Sequence, residues 1–360
     1  MTITSTQREP KAIRSHTSVA RVTEDWYIVC ESPQLRDKPL AVTLLDTPLV
    51  VFRDRTGNAG ALLDRCPHRN VPLSLGAVKN NHLQCAYHGW EFDRGGTCQN
   101  IPGLIEEEKT PGRRAPAYAV KERDGFVWIY ATPDVEPQRE PFRLPLLYER
   151  GYTTVRQEMQ VNASIHATAE NALDVPHTAY LHGGLFRSIK AKRNEIEVVI
   201  RRWHDRVEAE YIGEPRPPGL AGKLLAPGGG TVTHFDRFIL PSIVQVEYRL
   251  GDQSHICVSS ALTPVSDFNT RLFAVISFRL PLPGWLAALV LRPIVLRIFQ
   301  QDAGMLKRQT EMIQHFGGEQ YMSTEIDVLG PQIHRLLKQA ERGKRAAAEE
   351  PLTRTIHMLI

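Results

Sequence analysis

The sequence lacks a membrane-spanning segment and a strong charge bias. Its most apolar stretch, residues 280–299, is interrupted by three prolines and by Arg292 and Arg297, whereas a membrane span needs roughly 20 mostly apolar residues with few charges. We expect a pair of core helices there, with a lid over a substrate channel or an interfacial patch as alternatives. The net charge of +4, from 44 basic and 40 acidic residues, is too small to indicate nucleic acid as a partner.

Signatures of a disulfide scaffold, a secreted protein and a nucleotide site are also missing. The five cysteines are an odd number, and Cys66 and Cys85 stand near histidines, so we expect metal binding in a reducing compartment. The first residues contain no apolar run of the kind found in secretory signals, so we expect a cytoplasmic protein. The glycines at 228–230 do not follow a strand and open a helix, as a dinucleotide site requires.

Two mixed cysteine–histidine motifs occur in the N-terminal third. The first is Cys66-x-His68, and the second, sixteen residues later, is Cys85-x-x-His88. Thiolates suit iron–sulfur clusters, and imidazoles suit iron or zinc. A two-iron cluster with two cysteines on one iron and two histidines on the other takes one of each from each loop. Structural zinc sites usually group cysteines together and histidines together, so the pattern favours a [2Fe–2S] cluster over zinc.

The residues around these motifs resemble the Rieske motif of ring-hydroxylating oxygenases. The resemblance covers residues 65–92, including Tyr87-His88-Gly89-Trp90, and the glycine pair at 95–96. One residue departs from it, because Asn70 stands where many family members have glycine; asparagine tolerates a left-handed backbone better than most residues. The resemblance implies the catalytic alpha subunit of a Rieske-type non-haem iron oxygenase, with a [2Fe–2S] cluster and a mononuclear Fe(II) as cofactors.

A second motif lies downstream and reads Asn171-x-x-Asp174-x-x-His177-x₄-His182. On a regular helix, residues five apart point roughly 140° away from each other. The two histidines can therefore bind one metal only if Pro176, or the glycines at 183–184, make the helix irregular. Without further context, they could equally be hydrogen-bonded core histidines. The motif resembles the iron-binding segment of the same family, which implies that His177 and His182 are iron ligands.

The resemblance also implies a distant carboxylate ligand and two further site residues. Asp302 is the expected ligand because a comparable Gln/Asp/Leu-rich helix carries the family's aspartate, and Glu311 and Asp327 are weaker alternatives. Two histidines and one carboxylate leave three iron positions open for dioxygen and substrate. In the family the equivalent of Asp174 bridges a cluster histidine of one subunit and an iron histidine of its neighbour, so a homo-oligomer, a trimer, is expected. Asn171 is expected near the open positions.

Strand and helix patterns predict an α+β fold with two domains. Residues 26–130 contain short strands rich in β-branched and aromatic residues, separated by turn residues. After a proline-rich linker at 131–147, alternating runs such as 195–200 and 244–248 predict an antiparallel sheet. Helical patterns occur near 165–182 and 293–318, and 331–348 reads as an exposed charged helix. We expect an all-β Rieske [2Fe–2S] domain at 22–135 and a helix-grip-like catalytic domain at 148–345.

The implied function is that of a terminal oxygenase component. It would use dioxygen, and electrons from a separate NAD(P)H-dependent flavin reductase and possibly a ferredoxin, to hydroxylate, demethylate or desaturate a hydrophobic small molecule. Apolar segments of the second domain favour, weakly, a bulky polycyclic or isoprenoid-derived substrate. A small aromatic acid or aryl ether is the alternative substrate. A Rieske electron-transfer protein without oxygenase activity is the alternative of another class, and the roughly 200 further residues count against it.

Overall fold

A computed structural model describes residues 18–105, 112–183, 194–215, 231–343 and 350–360. The N-terminal part is built from short antiparallel strands, as expected. They form a three-stranded sheet in the order β1-β11-β10 and two four-stranded sheets in the orders β2-β3-β4-β9 and β5-β6-β7-β8. The strands are β1 Trp26–Glu31, β2 Leu40–Leu44, β3 Thr47–Arg53, β4 Ala59–Leu63, β5 Ala77–Lys79, β6 His82–Gln84, β7 Glu91–Phe92, β8 Cys98–Asn100, β9 Ala117–Tyr118, β10 Val120–Arg123 and β11 Phe126–Tyr130.

The sheet β5-β6-β7-β8 surrounds the second cysteine–histidine motif in the sequence, because β5 and β6 precede Cys85 and β7 and β8 follow His88. Its first hairpin joins β5 to β6 through Asn80 and Asn81, which have φ angles of 48° and 66°. Two successive residues with positive φ are the requirement of the type I′ hairpin turn, and asparagine meets it more easily than most residues. The hairpin leads directly from β6 into the second motif loop, which begins at Cys85.

The C-terminal part is one antiparallel sheet of eight strands, which confirms the predicted meander. Its order is β12-β18-β17-β16-β15-β14-β13-β19, so neighbours in sequence are mostly neighbours in space. Alternate residues of β13, β14 and β15 are buried, because one face of the sheet packs against helices. The strands are β12 Thr153–Val161, β13 Glu195–Arg202, β14 Arg206–Ile212, β15 Val232–Ile239, β16 Ile243–Leu250, β17 Ser254–Ser266, β18 Asn269–Arg279 and β19 Leu352–Leu359.

Four helices accompany this sheet in the described residues: α1 Ile165–Leu173, α2 Thr178–Leu181, α3 Gly284–His315 and α4 Gly330–Glu341. The first begins at Ser164, whose side-chain oxygen accepts a 3.2 Å hydrogen bond from the Ala167 amide and so caps the helix. It ends at Leu173, since the residue before Pro176 is disfavoured in the helical conformation. The single helix predicted over 165–182 is therefore two helices.

Two helix predictions were wrong. Residues 280–299 do not form a pair of core helices: they enter the single long helix α3, in which Trp285 and Leu289 are 72% and 70% exposed. A helix that is apolar on every side has the same sequence pattern whether it is buried or lies on the surface. The predicted exposed helix at 331–348 is α4, and it buries Ile333, Leu336 and Leu337 against the rest of the protein. Residues 344–349 of that prediction lie outside the described residues.

The two parts of the chain share one hydrophobic core. A single cluster of contacting buried side chains includes Val29 and Val51 from the N-terminal strands and Val155 and Leu262 from the large sheet. The proline-rich segment 131–147 adds to a second cluster, because Leu144 is buried with aromatic residues of β1, β11 and β18. That segment is therefore packed against the rest of the protein and is not a free linker. The boundaries 22–135 and 148–345 fall on either side of it and stay a prediction.

Candidate metal centres and active site

The loops that carry the two cysteine–histidine motifs bring the thiols of Cys66 and Cys85 together in the protein interior. Cys66 and Cys85 are 1% and 3% exposed, and the Cys85 thiol lies close enough to Cys66 to affect its pKa. Burial, together with the neighbouring thiol, raises the pKa of Cys66 to about 11. Two buried thiols held together without a metal are costly to ionise, and a metal ion removes that cost by replacing the protons.

The two histidines of these loops lie on the surface side of the thiols. The rings of His68 and His88 are 4.5 Å apart, and His68 stacks on Trp90 with centroids 4.8 Å apart. The Nδ1 atom of His68 is buried and has no hydrogen-bond partner, while His88 is exposed. A buried nitrogen without a hydrogen-bond partner fits the role of a metal ligand. The thiols therefore mark the inner end of the site and the imidazoles its outer end.

The separation of the four ligand side chains bears on the choice between zinc and a cluster. Among the described residues, one group alone places three candidate ligand atoms within 4.8 Å of one another, and that group contains neither Cys66 nor Cys85. The four motif side chains therefore do not converge on one ion, as tetrahedral zinc requires. A cysteine pair and a histidine pair separated in this way fit a two-iron cluster with two ligands on each iron.

The backbone at Asn70 explains the departure from the family motif. Asn70 has a φ of 63°, the left-handed conformation that glycine adopts most easily. The Oδ1 atom of Asn70 accepts a 2.7 Å hydrogen bond from Arg65, which holds this turn of the first motif loop. Asparagine therefore replaces glycine here without changing the path of the loop.

The group that does converge consists of His177, His182 and Asp302. The Nε2 atoms of the two histidines are 3.3 Å apart, and Asp302 Oδ1 lies 3.5 Å from the first and 3.0 Å from the second. Adjacent ligands about 2.1 Å from one octahedral metal are roughly 3.0 Å apart. The three sequence-predicted ligands thus form one face of a metal site, from helices that are far apart in sequence.

Helix ends, and not a bulge within a helix, make the two histidines converge. His177 is the residue before α2 and His182 the residue after it, with φ −107° and ψ 30°. His177 keeps helical φ and ψ angles of −63° and −25°, and its carbonyl oxygen accepts the hydrogen bond of the Leu181 amide at 2.9 Å, so only His182 leaves the helical geometry. The irregularity that the sequence predicted therefore lies at the C-terminal end of α2.

Each iron-site histidine has a side-chain oxygen on its Nδ1 side, which leaves its Nε2 lone pair for the metal. Nδ1 of His182 donates to Gln301 Oε1 at 2.9 Å, and Nδ1 of His177 lies 3.4 Å from Asp174 Oδ2. Burial lowers the pKa of His177, but Asp174 and Asp302 outweigh it and raise that pKa to about 9. A cation is therefore favoured between these groups, and a metal ion can replace the proton.

The remaining predicted residues are close to this centre in the fold. Asn171 is half-buried in the last turn of α1, and its carbonyl oxygen accepts a hydrogen bond from the Asp174 amide. The Asp174 side chain is 35% exposed, so it faces both His177 and the surface. Gln301 was missed by sequence reasoning, although its position next to Asp302 could have indicated it. Glu311, one alternative ligand, is exposed and pairs with Lys307.

A buried polar cluster on the sheet was also missed. The His234 ring of β15 is 1% exposed and stacks between Tyr211 of β14 and Tyr248 of β16. Its Nδ1 is 2.7 Å from Glu214 Oε2, and its Nε2 is 3.0 Å from Asp236 Oδ1. Burial lowers the pKa of His234, but the two carboxylates outweigh it and raise that pKa to about 9.

His234 should make folding stability depend on pH. Its folded pKa of about 9 exceeds the ordinary value of 6.5, so its stabilising contribution is complete below pH 6.5 and is lost as the pH rises through 9. The contribution is at most roughly 3 kcal/mol. We expect His234→Gln to lower the thermal midpoint more at pH 6 than at pH 10, measured by calorimetry. His255→Gln is the control: burial lowers the His255 pKa, so its effect should not shrink with rising pH.

Two family models match the chain. The Rieske [2Fe-2S] domain matches residues 25–111, and the C-terminal domain of vanillate O-demethylase oxygenase matches residues 161–343, just over half of the chain. The chain belongs to the Rieske-type non-haem iron oxygenases. The cofactors of this family are the Rieske [2Fe–2S] cluster and a mononuclear iron, and the two ligand sets described above fit them.

Individual Rieske oxygenases resemble the chain to different extents. The oxygenase component of dicamba O-demethylase from Stenotrophomonas maltophilia is 35% identical over 50% of this chain, and the match spans only 53%, about half, of that relative's length. The oxygenase subunit of vanillate O-demethylase from Pseudomonas sp. is 25% identical over 91% of the chain and 97% of its own. The crystal structure of dicamba monooxygenase bound to 3,6-dichlorosalicylic acid is 25% identical, with a TM-score of 0.74 over 91% of this chain and all of that one.

Proposed function

We propose that this Rieske-type chain is the terminal oxygenase component of a multi-component system that oxidises a hydrophobic small molecule with dioxygen. The observation that carries the proposal is the convergence of His177, His182 and Asp302, whose three ligand atoms lie 3.0–3.5 Å apart. A face of two histidines and one carboxylate leaves iron positions for dioxygen and substrate. A protein that only transferred electrons would need the cluster alone and not a second metal centre.

The roles of the protein's own side chains follow from the contacts. His177, His182 and Asp302 would hold the iron, and Cys66, His68, Cys85 and His88 would hold the cluster. The metals, when bound, supply the redox chemistry of dioxygen reduction. Gln301 fixes the tautomer of His182 through a hydrogen bond to Nδ1, and the Asp174 carboxylate, 3.4 Å from His177 Nδ1, would favour a proton on that nitrogen by its charge. Asn171 would contribute a polar side chain beside the open positions.

Electron transfer between subunits is part of the proposal. His88 and Tyr87 are exposed at the outer end of the cluster site, and Asp174 is partly exposed beside His177. An exposed carboxylate can accept a hydrogen bond from an imidazole of a neighbouring subunit, and such a bond fixes ring orientation. A homotrimer would join each cluster to the iron of the next chain. The electrons would reach the cluster from a separate NAD(P)H-dependent flavin reductase, directly or through a ferredoxin.

The substrate class is proposed from the lining of the sheet. The face that carries His234 is otherwise largely apolar, with Phe238, Val244 and Ile276 buried on it, which favours a bulky hydrophobic molecule. A small aromatic acid or aryl ether is the second candidate, because two of the relatives are named as O-demethylases of dicamba and vanillate. Residues 184–193 and 216–230, which include the expected lining residues Leu185 and Phe186, lie outside the described residues.

Metal analysis tests the cofactor assignment first. Anaerobically purified protein should contain about three irons and about two acid-labile sulfides per chain, with a Rieske-type EPR signal after reduction. Cys85→Ser should lose the sulfide and the EPR signal and keep about one iron. Cys98→Ser is the matched control, because Cys98 is only half-buried and belongs to neither motif.

Three outcomes would contradict the assignment or part of it. Zinc without sulfide in the wild-type protein would remove the cluster, and a full complement of sulfide in Cys85→Ser would reassign its ligands. With the metals confirmed, substrate-dependent oxygen consumption separates the two substrate classes: polycyclic or isoprenoid compounds on one side, methoxylated benzoates on the other. No stimulation by compounds of either class, with a reductase that does reduce the cluster, would reject the oxygenase proposal.

A further inference from the structure

The first half of α3 exposes an apolar surface that the fold does not use. Ala287, Leu291, Val295 and Phe299 recur at every fourth position and pack against the core. On the other side of the same turns, Trp285 is 72% exposed, Leu289 70% and Val290 55%. The side of a surface helix that faces away from the core normally carries polar residues. In the first half of α3 both sides are apolar, and among the described residues only the side that faces the core is covered.

Two arginines lie at the two edges of this exposed side of α3. At roughly 100° per residue, Arg292 falls beside Trp285 and Arg297 falls beside Val290 on the helix surface. Both arginines are exposed, and neither forms an ion pair within the part of the chain that the structure describes. The sequence has no aspartate or glutamate between Asp267 and Asp302. The patch, defined here as Trp285, Leu286, Leu289 and Val290 with Arg292 and Arg297, is therefore apolar at its centre and cationic at its margins.

The turn before β12 extends the same surface. Gly284 at the start of α3 lies against Thr153, and Gly151 lies against Arg279, so residues 148–153 are next to the beginning of the helix. In this turn Tyr148 is 72% exposed, Arg150 is exposed and Glu149 is the single acid. Aromatic residues with a polar atom, together with long cationic side chains, are enriched where a protein meets the headgroup region of a bilayer.

We propose that this patch binds the surface of a membrane containing anionic lipid, with Trp285 and Leu289 inserted among the headgroups. Helices that lie in the interface present Trp and Leu to the acyl boundary and Lys or Arg to the headgroups. In the described part of the chain no helix is long and apolar enough to cross a bilayer, so the contact is peripheral. A contact between this patch and the same patch of another copy is disfavoured, because it brings the arginines together without an acid in the patch, and the contact of the proposed trimer involves His88 and Asp174 instead.

Flotation with lipid vesicles tests the proposal on the metal-loaded protein. Wild-type protein should float with phosphatidylcholine vesicles that contain phosphatidylglycerol, and bind them at least about 10-fold more tightly than pure phosphatidylcholine vesicles, since each arginine contributes about fivefold near an anionic surface. The double substitution Trp285→Ser and Leu289→Ser should abolish flotation. Arg292→Gln with Arg297→Gln should remove the preference for anionic vesicles.

The matched control is Leu352→Ser with Leu359→Ser, which removes two leucines of similar exposure, 66% and 59%, from β19. That control should float as the wild type does. Circular dichroism and cluster absorbance establish that each variant is folded, and light scattering establishes its mass. No flotation of the wild type, or flotation that the Trp285/Leu289 pair does not change, would overturn the proposal. A fall in oligomer mass in that variant, without vesicle binding by the wild type, would assign the patch to a second copy of this chain.

Discussion

Asp302→Ala should remove the mononuclear iron and leave the [2Fe–2S] cluster intact. Asp302 supplies the single carboxylate of the site, and its Oδ1 lies within 3.5 Å of both histidine Nε2 atoms. Its loss leaves only two protein ligands, both neutral imidazoles, and removes the negative charge that helps to hold a divalent iron. Changes to groups that only support a metal ligand cost about 10–100-fold in affinity, so the loss of a ligand should cost more than about 100-fold. Turnover should fall by at least that factor.

Iron and sulfide analysis provides the measurement. The variant should contain about two irons and about two sulfides per chain, with an unchanged Rieske EPR signal. Glu311→Ala is the matched control, because Glu311 is an acid on the same helix, exposed, and paired with Lys307 only. It should keep about three irons. If Asp302→Ala keeps the third iron and Glu311→Ala loses it, the carboxylate ligand has to be reassigned.

Asp174→Asn should keep both metal centres and lose most of the turnover. The substitution preserves size, and Asp174 contributes no atom to the convergent ligand group. It removes the negative charge 3.4 Å from His177 Nδ1 and leaves one acceptor oxygen instead of two, so that in the proposed trimer the side chain can no longer accept from both His177 and the neighbour's cluster histidine. Electron transfer depends steeply on the path between the centres, so we expect a decrease of at least about 100-fold, the upper range for support residues of metal ligands.

A single-turnover experiment isolates that step. Protein with a chemically reduced cluster is mixed with oxygen and substrate, and the return of the oxidised cluster absorbance is followed. The variant's cluster should reoxidise slowly, with its iron content unchanged. Asp327→Asn, a change of a half-buried carboxylate outside the convergent ligand group, should reoxidise at the wild-type rate. A wild-type rate in Asp174→Asn would reject the bridging role, and loss of iron would make Asp174 a support of the metal site alone.

Sequence reasoning was most successful for the fold, because alternating residues predicted the strands of the large sheet. The ligands that the cysteine–histidine loops and the segment from Asn171 to His182 indicate by type and spacing stay predictions. The link between His177 and Asp302 came from family resemblance, because nothing in the spacing of residues 125 positions apart indicates contact.

The features that were missed depend on strand register and on what covers a surface. His234 lies between Tyr211 and Tyr248 only because β14, β15 and β16 pair in a register that places these residues opposite one another. A one-residue shift would move His234 to the other face of the sheet. The exposure of Trp285 was missed for a different reason, since an apolar helix carries no sequence mark that separates core from surface.

The shared core has a consequence for how such a protein can change over evolution. Val29 and Val51 of the cluster-binding part are in one packed cluster with Val155 and Leu262 of the iron-binding part, and close-packed interiors transmit a change of shape to their neighbours. The two parts therefore cannot be exchanged as independent modules. A replacement of either part would have to preserve the shape of the surface at which the two parts pack together. Sequence changes in the cluster-binding part are therefore coupled to sequence changes in the iron-binding part.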